Sequence, residues 1–223
     1  MMKPLFDNDF IAYYGILSRN AVADEYPVNL PAFDIDDTVT PPVVPYKAGQ
    51  LSVNASEDVD ILAYEKFIDK CKTPKSFAAG RRRCDFLLTT HSTNNAVCLV
   101  EMTSALGSAS KLSLPIRDSH GNVRYPGGKM EKVEDQLSQS LSTVMAVPAI
   151  QSNLASRSRK ICLMSYIINP YTNIVDRIRH PLMRFLGIEA KEVKNDGAIV
   201  SCPAIEAFGF EYRRISHDYA FNL

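Results

Sequence analysis

Two carboxylates stand inside apolar runs of the segment CDFLLTTHSTNNAVCLVEMTS, which spans residues 84–104. Asp85 lies at the start of the first run and Glu101 lies within the second. Burying a carboxylate is costly unless it is paired or bound to a metal. If the two acids converge, their repulsion favours protonation of one of them or a cation between them. A hard divalent ion such as Mg²⁺ takes oxygen ligands of this kind, together with water and a substrate phosphate.

The elements that carry these acids are predicted to be the two strands of a hairpin. Residues 84–90 and 96–103 are rich in Val, Leu, Phe, Thr and Cys, and the connection HSTNN supplies turn residues. Thr103 follows Glu101 by two positions, so both side chains leave the same face of the strand. The pairing register decides whether Asp85 meets Glu101, and the sequence leaves that register open.

A long helix is predicted directly after a polar loop over residues 104–128. Apolar residues fall on one stripe at helical spacing, namely Met130, Val133, Leu137, Leu141 and Val144. Beside that stripe runs a polar one, Lys129, Lys132, Gln136 and Ser140, spaced by three, four and four residues. A lysine and a glutamine on this boundary can reach the rim of the sheet and contact a phosphate or a metal-bound water. Pro148 is expected to kink or end the helix.

The remaining elements complete an α/β domain around a mixed sheet. We predict an N-terminal helix near 8–20, an extended proline-rich arm to residue 56 and a helix over about 58–72. Residues 160–169 indicate a strand buried on both faces, residues 173–188 one or two short helices, and the C-terminal stretch one or two last strands. The predicted division is residues 1–56 as helix and arm and residues 57–223 as the main domain.

Composition excludes several classes of protein. The 25 Lys and Arg balance the 25 Asp and Glu, which argues against a nonspecific nucleic-acid coat but not against a local basic groove. Five widely spaced cysteines without a CxxC pair suggest neither a zinc site nor a disulfide framework. The longest apolar runs are too short to span a membrane, and the N-terminus lacks a signal-peptide pattern. These features favour a cytoplasmic location.

The stretches RRRCDFLLT, VCLVEMTS and KMEKVEDQLSQSL together resemble the PD-(D/E)xK nuclease superfamily, over roughly residues 58–170. The resemblance implies a restriction-endonuclease-like fold and Mg²⁺- or Mn²⁺-dependent hydrolysis of DNA. Asp85 matches the metal-binding aspartate of the family and Glu101 its second acidic ligand. Gln136 matches a helix glutamine, and Glu65 matches an additional acid of the first helix. Small relatives commonly work beside an ATPase or another subunit in bacterial genome defence, and self-association is left open.

Thr103 departs from the family pattern, because the usual lysine stands at that position. One interpretation is that Lys132 or Lys129 reaches in from the helix as the electrostatic catalyst. The alternative is a catalytically inactive nuclease fold that binds a protein or DNA partner in an assembly. The run Arg81–Arg83 and Thr103 are the predicted nucleic-acid contacts.

Ordinary structural roles compete with each of these assignments. Asp85 would pair with Arg82 or Arg83, and Glu101 would face solvent. The lysines and Gln136 would form a solvated helix flank, and the arginines a solvated surface.

Overall fold

A computed structural model of the chain describes residues 1–72, 77, 81–91, 95–103, 116–117, 123–124, 129–166 and 195–223. In chain order its strands are β1 Glu25–Val28, β2 Ala32–Ile35, β3 Val43–Val44, β4 Leu51–Asn54, β5 Val59–Ala63, β6 Phe86–Thr90, β7 Ala96–Thr103, β8 Ile116–Arg117, β9 Val123–Arg124, β10 Arg159–Tyr166, β11 Ala198–Ile199, β12 Glu211–Ser216 and β13 Phe221–Asn222. Its helices are a π-helical segment Leu5–Phe10, α1 Ile11–Tyr14, α2 Tyr64–Lys70, α3 Lys129–Met145, α4 Pro148–Ala155 and α5 Pro203–Glu206.

The central sheet is mixed and, among the described residues, has the strand order β1-β5-β6-β7-β10-β12-β11. Strands β5, β6 and β7 pair antiparallel, whereas β10 runs parallel to both β7 and β12. Ile161, Cys162, Leu163 and Met164 of β10 are fully buried. This confirms the prediction of a strand covered on both faces, as is usual where parallel strands lie in the middle of a sheet. Strands β8 and β9 pair with each other in a two-stranded sheet of their own.

A second sheet, β13-β4-β2-β3, covers one face of the central sheet. Its apolar side chains, such as Phe33, Val53 and Phe221, share a buried cluster with Phe86 and Val100 of the central sheet. Helices α2, α3 and α4 cover the opposite face, where their side chains form a cluster with alternate residues of β6, β7 and β10. The predicted α/β class with a mixed sheet flanked by helices is therefore confirmed, and the sheet carries a different layer on each face.

The long helix is also confirmed. Val133, Leu137, Leu141 and Val144 of α3 are buried on the sheet, as the apolar stripe predicts. Pro148 stands at the first position of α4, where the missing N–H of proline is not needed and its φ suits a helix start. The helices predicted within residues 173–188, and most of the loop predicted over 104–128, lie outside the described residues. None of the helices in the described part of the chain has the length and apolar character of a membrane span.

Two predictions were wrong, and a third was wrong in the residue at which its helix ends. The segment predicted as an extended arm forms strands β1 to β4, because its apolar residues find partners far along the chain: β1 pairs with β5, and β4 pairs with β13. The helix predicted from residue 58 is strand β5 followed by α2, because Val59–Ala63 is buried on both faces between β1 and β6. The N-terminal helical segments end at Tyr14 rather than near residue 20, and Gly15 follows with a φ of 60° that terminates the helix.

Candidate active site

Asp85 directly precedes β6 and is fastened to β7 by two hydrogen bonds. Its backbone N–H donates to the Val100 carbonyl at 3.0 Å, and its Oδ2 accepts the Met102 N–H at 2.7 Å. Its own carbonyl accepts the Glu65 N–H at 3.2 Å, which links the site to the first turn of α2. The residue is only 8% exposed, so its carboxyl group is buried but held in a defined position.

Glu101 lies on β7 and is 6% exposed. Its Oε1 accepts a hydrogen bond from Gln136 Nε2 at 2.7 Å, and the same Nε2 donates to the Arg83 carbonyl at 3.0 Å. Its Oε2 is buried and has no hydrogen-bond partner among the described residues. A buried polar atom without a partner is unfavourable, so this oxygen is an acceptor that the described part of the fold leaves available.

The strand register brings the two acids together. The ladder of β6 and β7 ends with the pair Phe86 and Val100, and Asp85 then hydrogen-bonds Val100 and Met102, the residues on either side of Glu101. The charge of Asp85 also raises the pKa of Glu101, as expected for neighbouring carboxyl groups. Leu87 and Leu99 belong to the cluster on the helix side of the sheet, and Phe86 and Val100 belong to the opposite cluster. Since side chains alternate along a strand, Glu101 faces α3, and the charge of Lys132 on that helix acts on both Asp85 and Glu101.

Burial dominates the electrostatics of the pair. It raises the pKa of Asp85 to about 7, partly opposed by the Met102 N–H and reinforced by the charges of Glu65 and Asp37. Burial likewise raises the pKa of Glu101 to about 9, reinforced by the neighbouring Asp85 and partly opposed by the Gln136 hydrogen bond. Without a cation, these raised pKa values favour a proton on Glu101 at neutral pH and partial protonation of Asp85, and a bound cation would displace these protons.

Helix α3 contributes its predicted polar stripe to the site. Gln136 contacts Glu101, and Ser140 Oγ accepts the Cys84 N–H at 2.8 Å, one residue before Asp85. Lys132 is exposed, and its positive charge lowers the pKa of both Asp85 and Glu101. Lys129 begins α3, and its side chain lies outside the described residues.

Glu65 stands at the rim of the site on α2. Burial raises its pKa, partly opposed by Arg83, whose Nε lies 3.7 Å from Glu65 Oε1. Lys132 also acts on Glu65, so this acid belongs to the same electrostatic neighbourhood as the two buried ones.

The arginine run lies along α3, and each of its members has a partner within the chain. Arg81 stacks over the Phe77 ring at 4.5 Å and hydrogen-bonds Thr143. Arg82 forms an ion pair with Asp135, and Arg83 forms ion pairs with Asp69 and Glu65. Thr143 and Lys132 are eleven residues apart on α3, about 16 Å at 1.5 Å per residue. Arg81 therefore contacts α3 beyond Gln136, the residue of this helix that contacts Glu101.

Thr103 ends β7, is half-buried and pairs with Tyr166 of β10. It lies on the same face as Glu101, as the two-residue spacing predicts. Threonine offers a hydroxyl but no positive charge, so the cationic side chain that acts on the acids comes from α3.

Sequence reasoning missed Asp37, which follows β2 in the segment predicted as an arm. The charge of Asp37 raises the pKa of both Asp85 and Glu65. The available signal was the acidic stretch FDIDDT at residues 33–38, which stands out in a segment otherwise rich in proline and apolar residues.

In the described ranges, no three His, Cys, Asp or Glu side chains are grouped closely enough to hold a metal ion by themselves. No protein-family model matches the chain, and no curated protein or solved structure matches it either.

Proposed function

We propose that the chain is a Mg²⁺-dependent deoxyribonuclease with a PD-(D/E)xK-like domain, which hydrolyses phosphodiester bonds of DNA. The observation that carries this proposal is the buried pair Asp85 and Glu101, with Glu101 Oε2 lacking a partner in the described part of the fold. A fold gains no stability from two adjacent buried acids, so a function that uses both is the more economical account.

The residues fit a divalent cation whose coordination is completed by the substrate. Mg²⁺ characteristically binds through one or two carboxylates and takes its remaining ligands from water and phosphate. Asp85 and the free oxygen of Glu101 would hold the ion. Two protein ligands are consistent with the lack of a larger ligand group in the described ranges. When bound, such an ion lowers the pKa of a water nucleophile and neutralises charge on the phosphate.

The other side chains position and complement this pair. Gln136 holds Glu101 through Oε1 and leaves Oε2 without a partner in the described part of the fold, and the Met102 N–H holds Asp85 through Oδ2. Lys132 supplies positive charge where negative charge develops on the phosphate, the role that the family assigns to the lysine absent at Thr103. Arg81, Arg82 and Arg83 would contact the DNA backbone only by giving up their present partners.

A second candidate function is supported by Thr103 and by these arginine contacts. In this account the chain is a catalytically inactive nuclease-fold subunit that binds DNA or a protein partner, such as an ATPase, in a larger assembly. Two features favour this account. Thr103 stands where the family has its lysine, and Arg81, Arg82 and Arg83 already contact other side chains of the same chain.

Cleavage assays with the purified full chain distinguish the two candidates. Labelled single- and double-stranded DNA and RNA are incubated with Mg²⁺, Mn²⁺ or EDTA. The nuclease proposal expects metal-dependent cleavage of DNA that is lost in Asp85→Asn and Glu101→Gln. Glu134→Gln is the matched control, because Glu134 is a partly buried carboxylate of α3 that pairs with Arg214. Cleavage that survives Glu101→Gln, or no cleavage by the chain alone and with its natural partner, would reject the nuclease and favour the binding subunit.

A further inference from the structure

Three hydrogen bonds fix the backbone of residues 82–84 to α3, and each uses an uncharged side chain of that helix. They join the Arg82 N–H to Gln139 Oε1 at 3.1 Å, the Arg83 carbonyl to Gln136 Nε2 at 3.0 Å, and the Cys84 N–H to Ser140 Oγ at 2.8 Å. This segment leads directly into Asp85. Its path along the helix therefore does not depend on what the guanidinium groups of Arg82 and Arg83 bind.

Those guanidinium groups are held separately, by carboxylates at the protein surface. Arg82 pairs with Asp135 of α3, and Arg83 pairs with Asp69 of α2. The side chains of Asp135 and Asp69 are 46% and 56% exposed, so water and salt screen both ion pairs. Exposed pairs of this kind are weak, so another anion can displace the two carboxylates.

Both arginines lie close to the acids of the proposed site. Arg83 Nε is 3.7 Å from Glu65 Oε1, at the rim of the site. Arg82 precedes Asp85 by three residues, which span at most about 11 Å in an extended chain. One strand of DNA carries a phosphate about every 3.4 Å along the helix axis. The two guanidinium groups can therefore reach phosphates within about three nucleotides of Asp85.

We propose that Arg82 and Arg83 bind backbone phosphates of the DNA at the site, and that Asp135 and Asp69 occupy these arginines until DNA displaces them. This rests on the proposed function and deepens it, because it names contacts that hold the substrate and the internal groups that limit its affinity. A guanidinium group binds carboxylate and phosphate with the same planar fork of N–H donors, so the exchange needs no change in the backbone. The two carboxylates therefore weaken DNA binding, and removing their charge should strengthen it.

Fluorescence anisotropy of labelled single-stranded and duplex DNA with the full chain tests this proposal, in EDTA to prevent metal-dependent cleavage. Asp69→Asn and Asp135→Asn remove the competing charges and keep the shape of the side chains. The double variant should bind DNA about two- to thirtyfold more tightly than the wild type, the gain expected when two exposed ion pairs no longer compete. With Mg²⁺, KM for DNA should fall and kcat should stay unchanged, because phosphates beside the cleaved one contribute uniform binding.

A double-mutant cycle assigns the gain in affinity to each ion pair. The gain from Asp135→Asn should disappear when it is combined with Arg82→Gln, and the gain from Asp69→Asn when it is combined with Arg83→Gln. Each arginine variant alone should also reduce the slope of log K against log salt concentration, by about 0.7 on single-stranded DNA and about 0.9 on duplex.

Glu211→Gln is the matched control, because it removes one carboxylate from an exposed ion pair with Arg213. Its cross-strand neighbour Ile161 belongs to the cluster shared with the second sheet, so Glu211 lies on the opposite face of the central sheet from α3. Its affinity for DNA should stay within about twofold of the wild type.

The proposal is overturned if the double variant binds DNA no more tightly than Glu211→Gln does. It is also overturned if the gains persist in the arginine variants while thermal unfolding of those variants is normal. A wild type that cleaves DNA, with acid variants that gain no affinity, would reject this proposal alone. A wild type that neither binds nor cleaves DNA would reject the proposed function as well.

Discussion

Replacing Glu101 by glutamine should stabilise the metal-free protein, although it removes a residue central to the proposed site. Glutamine retains the shape of Glu101 and an oxygen that can accept the Gln136 hydrogen bond. It cannot ionise, so it escapes the desolvation that raises the pKa of Glu101 from its ordinary 4.5 to about 9. We therefore expect Glu101→Gln to increase the stability of the metal-free protein and to abolish the proposed activity.

The magnitude follows from proton linkage. A carboxyl group whose pKa is raised by folding contributes its full stability below its unfolded pKa, and that contribution is lost as the pH rises through the folded pKa. At pH 7, 2.5 units above the ordinary value of 4.5, the loss is about 3 kcal/mol at 1.36 kcal/mol per unit. The amide leaves a buried N–H without a partner, which costs about 1 kcal/mol. The net gain of about 2 kcal/mol corresponds to a Tm higher by about 4 to 8 °C in a domain of this size.

The assay is thermal and urea unfolding in EDTA at pH 5, 6, 7 and 8. The stability difference between Glu101→Gln and wild type should be small at pH 5 and grow with pH by about 1 kcal/mol per unit or slightly more. Glu211→Gln is the control, because its side chain is 52% exposed and pairs with Arg213, so its effect should be small at every pH. If Glu101→Gln were destabilising by the same amount at every pH, the argument that Glu101 is a desolvated acid would be refuted.

Three further predictions concern the same site. Mg²⁺ or Mn²⁺ should raise the Tm of the wild type more at pH 8 than at pH 6, because the ion must displace protons from acids whose pKa is raised. An equal increase in Tm at both pH values would contradict this prediction. In cleavage assays, Lys132→Met should lower kcat by about 10²-fold with KM little changed, and Lys132→Arg should recover part of it; an unchanged kcat would remove Lys132 from catalysis. In urea unfolding, Ser140→Ala should lower the free energy of unfolding by about 1 to 3 kcal/mol, because the buried Cys84 N–H loses its acceptor. Ser140→Thr retains a hydroxyl group and should lower it less.

The parts of the fold that could be predicted are those specified by local patterns. The stripe of Val133, Leu137, Leu141 and Val144 defines α3 because one helix face must be buried whatever it packs against. The apolar run of β10 likewise indicates a strand between two neighbours. Pro148 ends one helix and begins the next, since its ring and missing N–H have a local effect.

The misassigned elements are those whose conformation depends on distant partners. The spacing of apolar residues from Val59 onward suggests one face of a helix, but Val59–Ala63 is a strand whose pairing with β1 and β6 buries both of its faces. In the second sheet, β4 pairs with β13, although the two strands are more than 160 residues apart in the sequence. No local pattern in the proline-rich segment predicts that pairing. Asp37 was overlooked for the same reason, because its charge acts on Asp85 and Glu65 from the loop after β2, a strand of the second sheet.

The sequence by itself determined which residues are candidates for the proposed chemistry: two acids in apolar strands, a polar stripe on the following helix, and a threonine where the family it resembles has a lysine. These candidates were selected by residue type and spacing, which can be read directly from the local sequence. Only the tertiary structure decided that Asp85 and Glu101 are neighbours, because the pairing of β6 with β7 and the hydrogen bonds of Asp85 to β7 form only in the folded chain. It also decided that one oxygen of Glu101 lacks a partner in the described part of the fold and that Asp37 joins from the second sheet, because burial and charge proximity arise only when distant segments pack together.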